Sequence, residues 1–184
     1  MNRYAVFSAL VLGLWVGGMQ TAGYAKTARE IDVSVDVALE RFQSEISGGK
    51  DLLNKAKGVL VFPHIVKGGF VIGAEYGEGA LRVEGKTVDY YNMISGSLGF
   101  QLGGQARRVF VLFLDEASLK MFRDDPDWLG AANASGVLGT WGAEGSMDTM
   151  KTNEPIMTFV LDQKGLMGNL NLEVGKINAI KKNK

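Results

Sequence analysis

Several stretches of this 184-residue chain place chemistry-bearing residue types at suggestive spacings. Ala80-Leu81-Arg82-Val83-Glu84-Gly85-Lys86-Thr87 has the spacing of a phosphate-binding loop, with alanine in place of the first glycine. Context rejects that reading. Leu81 to Glu84 hold no glycine to let amides curl round a phosphate, and Thr87-Val88-Asp89-Tyr90-Tyr91 continues as a strand where a helix should begin. Glu84-Gly85-Lys86 reads instead as a hairpin turn. Ser95-Gly96-Ser97-Leu98-Gly99 has the outline of a nucleophile elbow, without its first glycine or its strand-to-helix setting. His64 is the single histidine and cysteine is absent, which removes the usual base for a serine or thiol nucleophile and most zinc ligand sets. Asp124, Asp125 and Asp127 lack the spacing of a calcium loop and read as a solvated helix stop. The chain is therefore expected not to be an enzyme, with no catalytic residue, metal or cofactor implied.

The cationic side chains say more. Lys50, Lys55, Lys57 and Lys67 crowd eighteen residues in which Asp51 is the only acid. Such a cluster is either a solvated face or a rim for anionic head groups, where each lysine near a charged membrane surface adds about 1 kcal/mol. Trp141, in a glycine-rich stretch, suits insertion at a lipid interface and equally a cap over the core. These five residues form the candidate lipid-binding set. Twenty Lys and Arg face twenty Asp and Glu, so attraction to an anionic partner must be local, and a general nucleic-acid binder is not expected.

Helices, then strands, must position these groups. Val35, Ala38, Leu39, Phe42 and Ile46 recur at helical spacing and predict a helix over Asp32 to Ile46, with Asp32 or Ser34 as its N-cap. Gly48-Gly49 stops it, and Lys50 to Lys57 form a second, short helix with Leu52, Leu53 and Ala56 inward. Strands are predicted at Val59 to Phe62, Gly69 to Tyr76, Ala80 to Val83, Thr87 to Met93, Ser97 to Leu102 and Arg107 to Leu114. Gly103-Gly104 signals a hairpin. A helix over Asp115 to Phe122 follows, then a glycine-rich stretch from Ala131 to Thr152 read as a strand with a long loop. Two last strands, Ile156 to Leu161 and Leu166 to Val174, flank a turn at Asp162 to Gly165. The expected fold is α+β, with a mostly antiparallel, glycine-rich sheet, barrel-like or sandwich, two N-terminal helices and one internal helix.

One strand is unusually bare. Between Gly69 and Gly79, alternation places Gly69, Gly73, Gly77 and Gly79 on one face with Val71 and Glu75, and Phe70, Ile72, Ala74 and Tyr76 on the other. Each strand glycine costs about 0.5–1 kcal/mol, so something must offset the loss. Sharp coiling, a neighbouring element packed close on the bare face, or a ligand held against backbone would each do so. Ser97, Gly99, Gln101 and Gly103 repeat the device on a second strand.

Residues 1–25 stand apart. Arg3, the apolar stretch Ala5 to Val16 and the ending Ala22-Gly23-Tyr24-Ala25 predict an export signal cleaved before Lys26. That stretch is shorter than the roughly 20 residues a membrane-spanning helix needs. The remainder, residues 26–184, is expected to be one domain.

Phe62-Pro63, Lys67-Gly68-Gly69-Phe70, Glu75-Tyr76-Gly77-Glu78-Gly79, Tyr90-Tyr91-Asn92, Gly99-Phe100-Gln101-Leu102-Gly103 and Gly165-Leu166-Met167 together resemble the SYLF domain family. That family is also called DUF500 or the Las17-binding actin-regulator family, and the resemblance runs from about Val35 to Ile180. It implies a lipid-binding module, associated in eukaryotic members with phosphoinositide membranes and actin, and it extends to exported single-domain members. Of the candidate residues only Lys67 lies in one of these motifs. The expectation is a periplasmic or secreted protein that binds anionic phospholipid or phosphoinositide-type head groups. The alternative is a structural or protein-interaction module of the envelope whose glycine-lined sheet receives a partner protein's strand or helix. An integral outer-membrane barrel is disfavoured by the two amphipathic helices, the unbroken apolar run Val109 to Leu114 and the lysine-rich tail.

Overall fold

A computed structural model describes residues 26–68, 72–98, 107–125, 155–162, 165–166 and 176–182. The first helix, α1, runs over Ala28–Glu45, four residues earlier than the apolar stripe predicts. Its N-cap is Thr27, neither Asp32 nor Ser34, because Thr27 and Glu30 complete a capping box that satisfies two otherwise orphaned amides. Ile31, Val35, Ala38 and Phe42 form its buried stripe. Gly48 adopts a left-handed φ of 71°, and α2 follows over Gly49–Lys55 with Leu52 buried.

The strands are longer than the hydrophobic runs suggest. β1 (Gly58–Gly68) passes straight through Pro63, β2 (Ile72–Val83) and β3 (Lys86–Leu98) each continue across sequence breaks, and β4 covers Arg107–Phe113. The turn between β2 and β3 holds Glu84 at φ 50° and Gly85 at φ 75°, the paired positive angles of a tight hairpin. Helix α3 (Glu116–Asp124) is capped by Asp115, whose carboxylate accepts from the Ser118 amide. β5 (Ile156–Asp162) and the two-residue β6 (Gly165–Leu166) precede β7 (Lys176–Ile180), a strand not anticipated. The expected strand Leu166 to Val174 is described only at its first residue. The Gly103-Gly104 hairpin, the stretch 131–152, Phe70 and Val71 lie outside the described residues.

All pairings are antiparallel, in the order β6-β5-β4-β1-β2-β3-β7. Among the described residues the sheet is open, with β6 and β7 as its edges. The α+β antiparallel architecture therefore holds, with neither ring closure nor a second sheet among the described residues.

Both faces of this sheet are apolar. Under α1 lie Val59, Val61, Phe110, Leu112 and Phe159, with the Phe42 ring centred 4.8 Å from Phe110 and 5.1 Å from Phe159. The other face gathers Leu60, Phe62, Val111 and Phe113, where Phe122 of α3 stacks on Phe113 and meets Tyr91, each at 4.9 Å.

The bare strand now has a cause. In β1 the register with β2 shifts between Val61 and His64, and the register with β4 shifts between Phe62 and Ile65. Pro63, which has no N–H to give to a ladder, sits inside this bulge. The bulge presses β1 backbone onto β2. A Cβ at Gly79 would lie 2.1 Å from the Val61 carbonyl oxygen, and one at Gly77 would lie 2.9 Å from that of His64. Glycine is required at both positions by the chain's own neighbouring strand.

Candidate functional site

The catalytic look-alikes resolve into structural roles. Ala80 to Thr87 form the end of β2, its turn and the start of β3. The Thr87 hydroxyl donates to Asp32 of α1 at 2.7 Å. Ser95 is buried and donates to Glu75 at 3.3 Å, and Glu75 also takes an ion pair from Arg107. No imidazole serves that hydroxyl. His64 stands at the bulge, where partial burial, then the cations of Lys26 and Arg108, hold its pKa below the ordinary value. Asp124 pairs with Lys120 on α3. Among the described residues no three side chains gather as a metal site.

Several cations on the sheet and on α3 are paired. Arg82 reaches from β2 to α1, 2.6 Å from Asp36 and 3.9 Å from Asp32, while Tyr90 donates to the second oxygen of Asp32 at 3.0 Å. Arg123 on α3 lies 3.3 Å from Asp89 on β3. Those last two residues border an open groove of ≈ 540 Å³ with Tyr91, Lys120 and Ala179. Its walls carry both signs of charge, so it offers no net pull on an anion.

The lysines of α2 differ. Lys50, Lys55 and Lys57 are all exposed, and among the described residues none of their ammonium groups joins an ion pair. A helical rise of 1.5 Å per residue separates Lys50 from Lys55 by roughly 7.5 Å along the axis, within the screening length of physiological salt. They project about 140° apart round the axis, flanking the buried side, and Asp51 is the one acid within the helix. Leu52 anchors the other side of α2 in the core beneath α1, with Leu53 and Ala56 packed against it. The helix therefore presents its charges outward because its apolar side is committed.

Lys67 does not join them. It lies ten residues along β1 from Lys57, about 33 Å at a strand rise, toward the opposite end of the sheet. Nearness in sequence misleads here because an extended strand, even with its bulge, converts ten residues into distance. Trp141 lies outside the described residues. Lys86, not among the predicted set, is exposed in the β2–β3 hairpin at the α2 end of the sheet.

A second polar centre escaped the sequence reading. Glu78 is buried on the α1 face, where its carboxylate accepts from the Tyr76 hydroxyl at 2.9 Å, the Lys182 ammonium at 2.9 Å and the Lys26 backbone N–H at 3.2 Å. Partial burial of the phenol, then its contact with Glu78, raises the Tyr76 pKa. The signal was parity: Glu78 shares the face of Ala80, so an acid stood at an inward position and needed partners.

Residues 94–183 match the family model described as Ysc84, Las17-binding protein actin regulator. No curated protein matches the chain. The matched span takes in the end of β3, β4, α3 and β5 to β7. The motifs from Phe62 to Asn92, and the α2 lysines, lie before it.

Proposed function

Since residues 94–183 carry the domain of the Ysc84 (SYLF) family, we propose that this protein binds anionic phospholipid head groups at a membrane surface and catalyses no reaction. Lys50, Lys55 and Lys57 make the contact, with the surface lying across the end of the sheet where α2 enters β1. The observation that carries this reading is local: Lys50, Lys55 and Lys57 crowd one short segment, all exposed and none in an ion pair among the described residues, whereas Arg82, Arg107, Lys120 and Arg123 are each matched by an acid. At about 1 kcal/mol per lysine, three contacts strengthen binding by roughly 100-fold over an uncharged surface. The export signal expected over residues 1–25 supports a place in the cell envelope, periplasmic or secreted. The bare face of β2 supports no partner strand at Gly77 and Gly79, since β1 already fills it.

Sedimentation with vesicles of neutral phosphatidylcholine, and with the same lipid carrying phosphatidylserine or a phosphoinositide, tests the proposal. Binding is expected only to the anionic vesicles. It should weaken as salt rises from 50 to 300 mM, and fall at least about tenfold in the variant K50E/K55E/K57E. The Lys67→Glu variant should bind like the parent. Equal binding to neutral and anionic vesicles, or an unaffected triple variant, refutes the assignment.

A further inference from the structure

The first described residue is held at both its backbone N–H and its backbone carbonyl. The Lys26 N–H points to Glu78 Oε2 at 3.2 Å, and the Lys26 carbonyl accepts from the Lys182 ammonium at 2.8 Å. Lys182 in turn lies 2.9 Å from Glu78 Oε1, with the two side chains only 10% and 7% exposed. One residue later the capping box of Thr27 and Glu30 begins α1. A backbone position gripped this way, by a buried carboxylate and a buried ammonium far away in sequence, is unusual for a link between a leader and a domain. The sequence breaks at the same place, since the small-residue ending Ala22-Gly23-Tyr24-Ala25 stops immediately before Lys26.

We propose that Glu78 and Lys182 form the docking site for the chain's own processed amino terminus, so that leader removal between Ala25 and Lys26 locks α1 onto the sheet. An export endopeptidase adds water across that peptide bond. The C–N bond breaks, the hydroxyl joins the Ala25 carbonyl carbon, and the nitrogen of Lys26 keeps its hydrogen, gains one from water and takes a further proton from solvent. Where an amide N–H donated one hydrogen bond, an ammonium now faces Glu78 Oε2, and the contact becomes charge-assisted. Processing adds one positive charge, which direct contact with Glu78 must hold against the other cations nearby. Glu78 and, from α1, Glu30 supply two negative charges, against Lys182 and the new α-ammonium. The remaining groups near it are the Tyr76 hydroxyl, His64, Arg108 beside His64, and the side chain of Lys26 itself. The precursor lacks this pair, and so its first helix is held less firmly than in the processed chain.

The full chain, exported in a bacterial host and weighed intact, should begin at Lys26. Titrated by nitrogen NMR, its α-amino group should show a pKa above the usual 7.7–8.0, and acylation near neutral pH should run about tenfold slower than in unfolded protein. Because the folded pKa is raised, the added stability is complete below about pH 8 and is lost as pH rises through the folded value. Glu78→Gln should return the pKa and the acylation rate to ordinary values. Should that variant not fold, converting the α-amine of the wild-type protein to a ketone by transamination tests the same contact, and should lower Tm by about 3 °C. A different starting residue, an ordinary α-amino pKa, or a Tm indifferent to the ketone overturns the proposal. None of these outcomes depends on lipid binding.

Discussion

Helices α1 and α2 touch at Gly49, where a Cβ would lie 2.7 Å from the Phe42 carbonyl oxygen, yet they are built for different tasks. α1 has eighteen residues, a capping box, five buried side chains and polar ties to the β2–β3 hairpin through Asp32 and Asp36. α2 has seven residues, no side-chain cap and one deeply buried anchor, Leu52. A helix so short gains little from its own hydrogen bonds, so packing must hold it in place. What α2 does have is exposed lysine that outnumbers its one acid, Asp51. The first helix fixes the fold; the second spends little on stability and leaves its charge available.

Damage to α1 should therefore cost far more than damage to the outer face of α2. Phe42→Ala removes a fully buried ring that meets Phe110 and Phe159, and should lower stability by about 3–5 kcal/mol in denaturant unfolding. A loss under 1 kcal/mol would mean that α1 is not what seals that face. Next comes the strand beneath: Gly79→Ala forces a methyl onto the Val61 carbonyl and should cost about 1–3 kcal/mol, because backbone in a paired ladder has little room to yield.

The face under α3 supplies a pH-dependent counterpart. Burial, then the nearby Asp89 carboxylate, pushes the Tyr91 phenol up to about 12, with Arg123 opposing. The unfolded phenol ionises near 10 while the folded one does not, so the folded state loses stability as pH climbs from about 10 to about 12. Thermal unfolding followed across that range should show the decline, and Tyr91→Phe should flatten it; an unchanged slope would place the cause elsewhere.

Smaller still is the cap. Thr27→Ala should cost about 1 kcal/mol by freeing the Glu30 amide, measurable as a drop of about 2–4 °C in Tm. The smallest effect belongs to α2: Lys50→Ala, Lys55→Ala and Lys57→Ala should each change stability by less than about 0.5 kcal/mol while weakening adhesion to anionic vesicles. A large destabilisation by any of them would erase the distinction between the two helices.

Periodicity located α1, α2, α3 and β4 because each has a one-sided apolar pattern long enough to read. Boundaries came out short where the chain relies on something other than hydrophobicity. Thr27 and Glu30 extend α1 through capping, a signal present in the sequence as Thr-x-x-Glu but lying before the apolar stripe. β1 continues through Pro63, which local propensity treats as a stop; only the bulge, a relation among three strands, makes room for it. The shared face of Gly77 and Gly79 was legible from alternation, whereas its cause required the neighbouring strand. The α2 lysines were legible as a charge run. Their separation from Lys67 was not, since strand β1 had to be recognised as unbroken first. Glu78 and Lys182, 104 residues apart, meet only after the sheet has formed.

The bulge at Pro63 also settles which alignments the sheet can adopt while it assembles. Sliding β2 by two residues in one direction along β1 would carry Leu81 to the spot that Gly79 now vacates for the Val61 carbonyl, and a branched side chain cannot enter there. The kinked strand thus works as a key and the missing side chains as its slot, rejecting misaligned hairpins before the helices close over them.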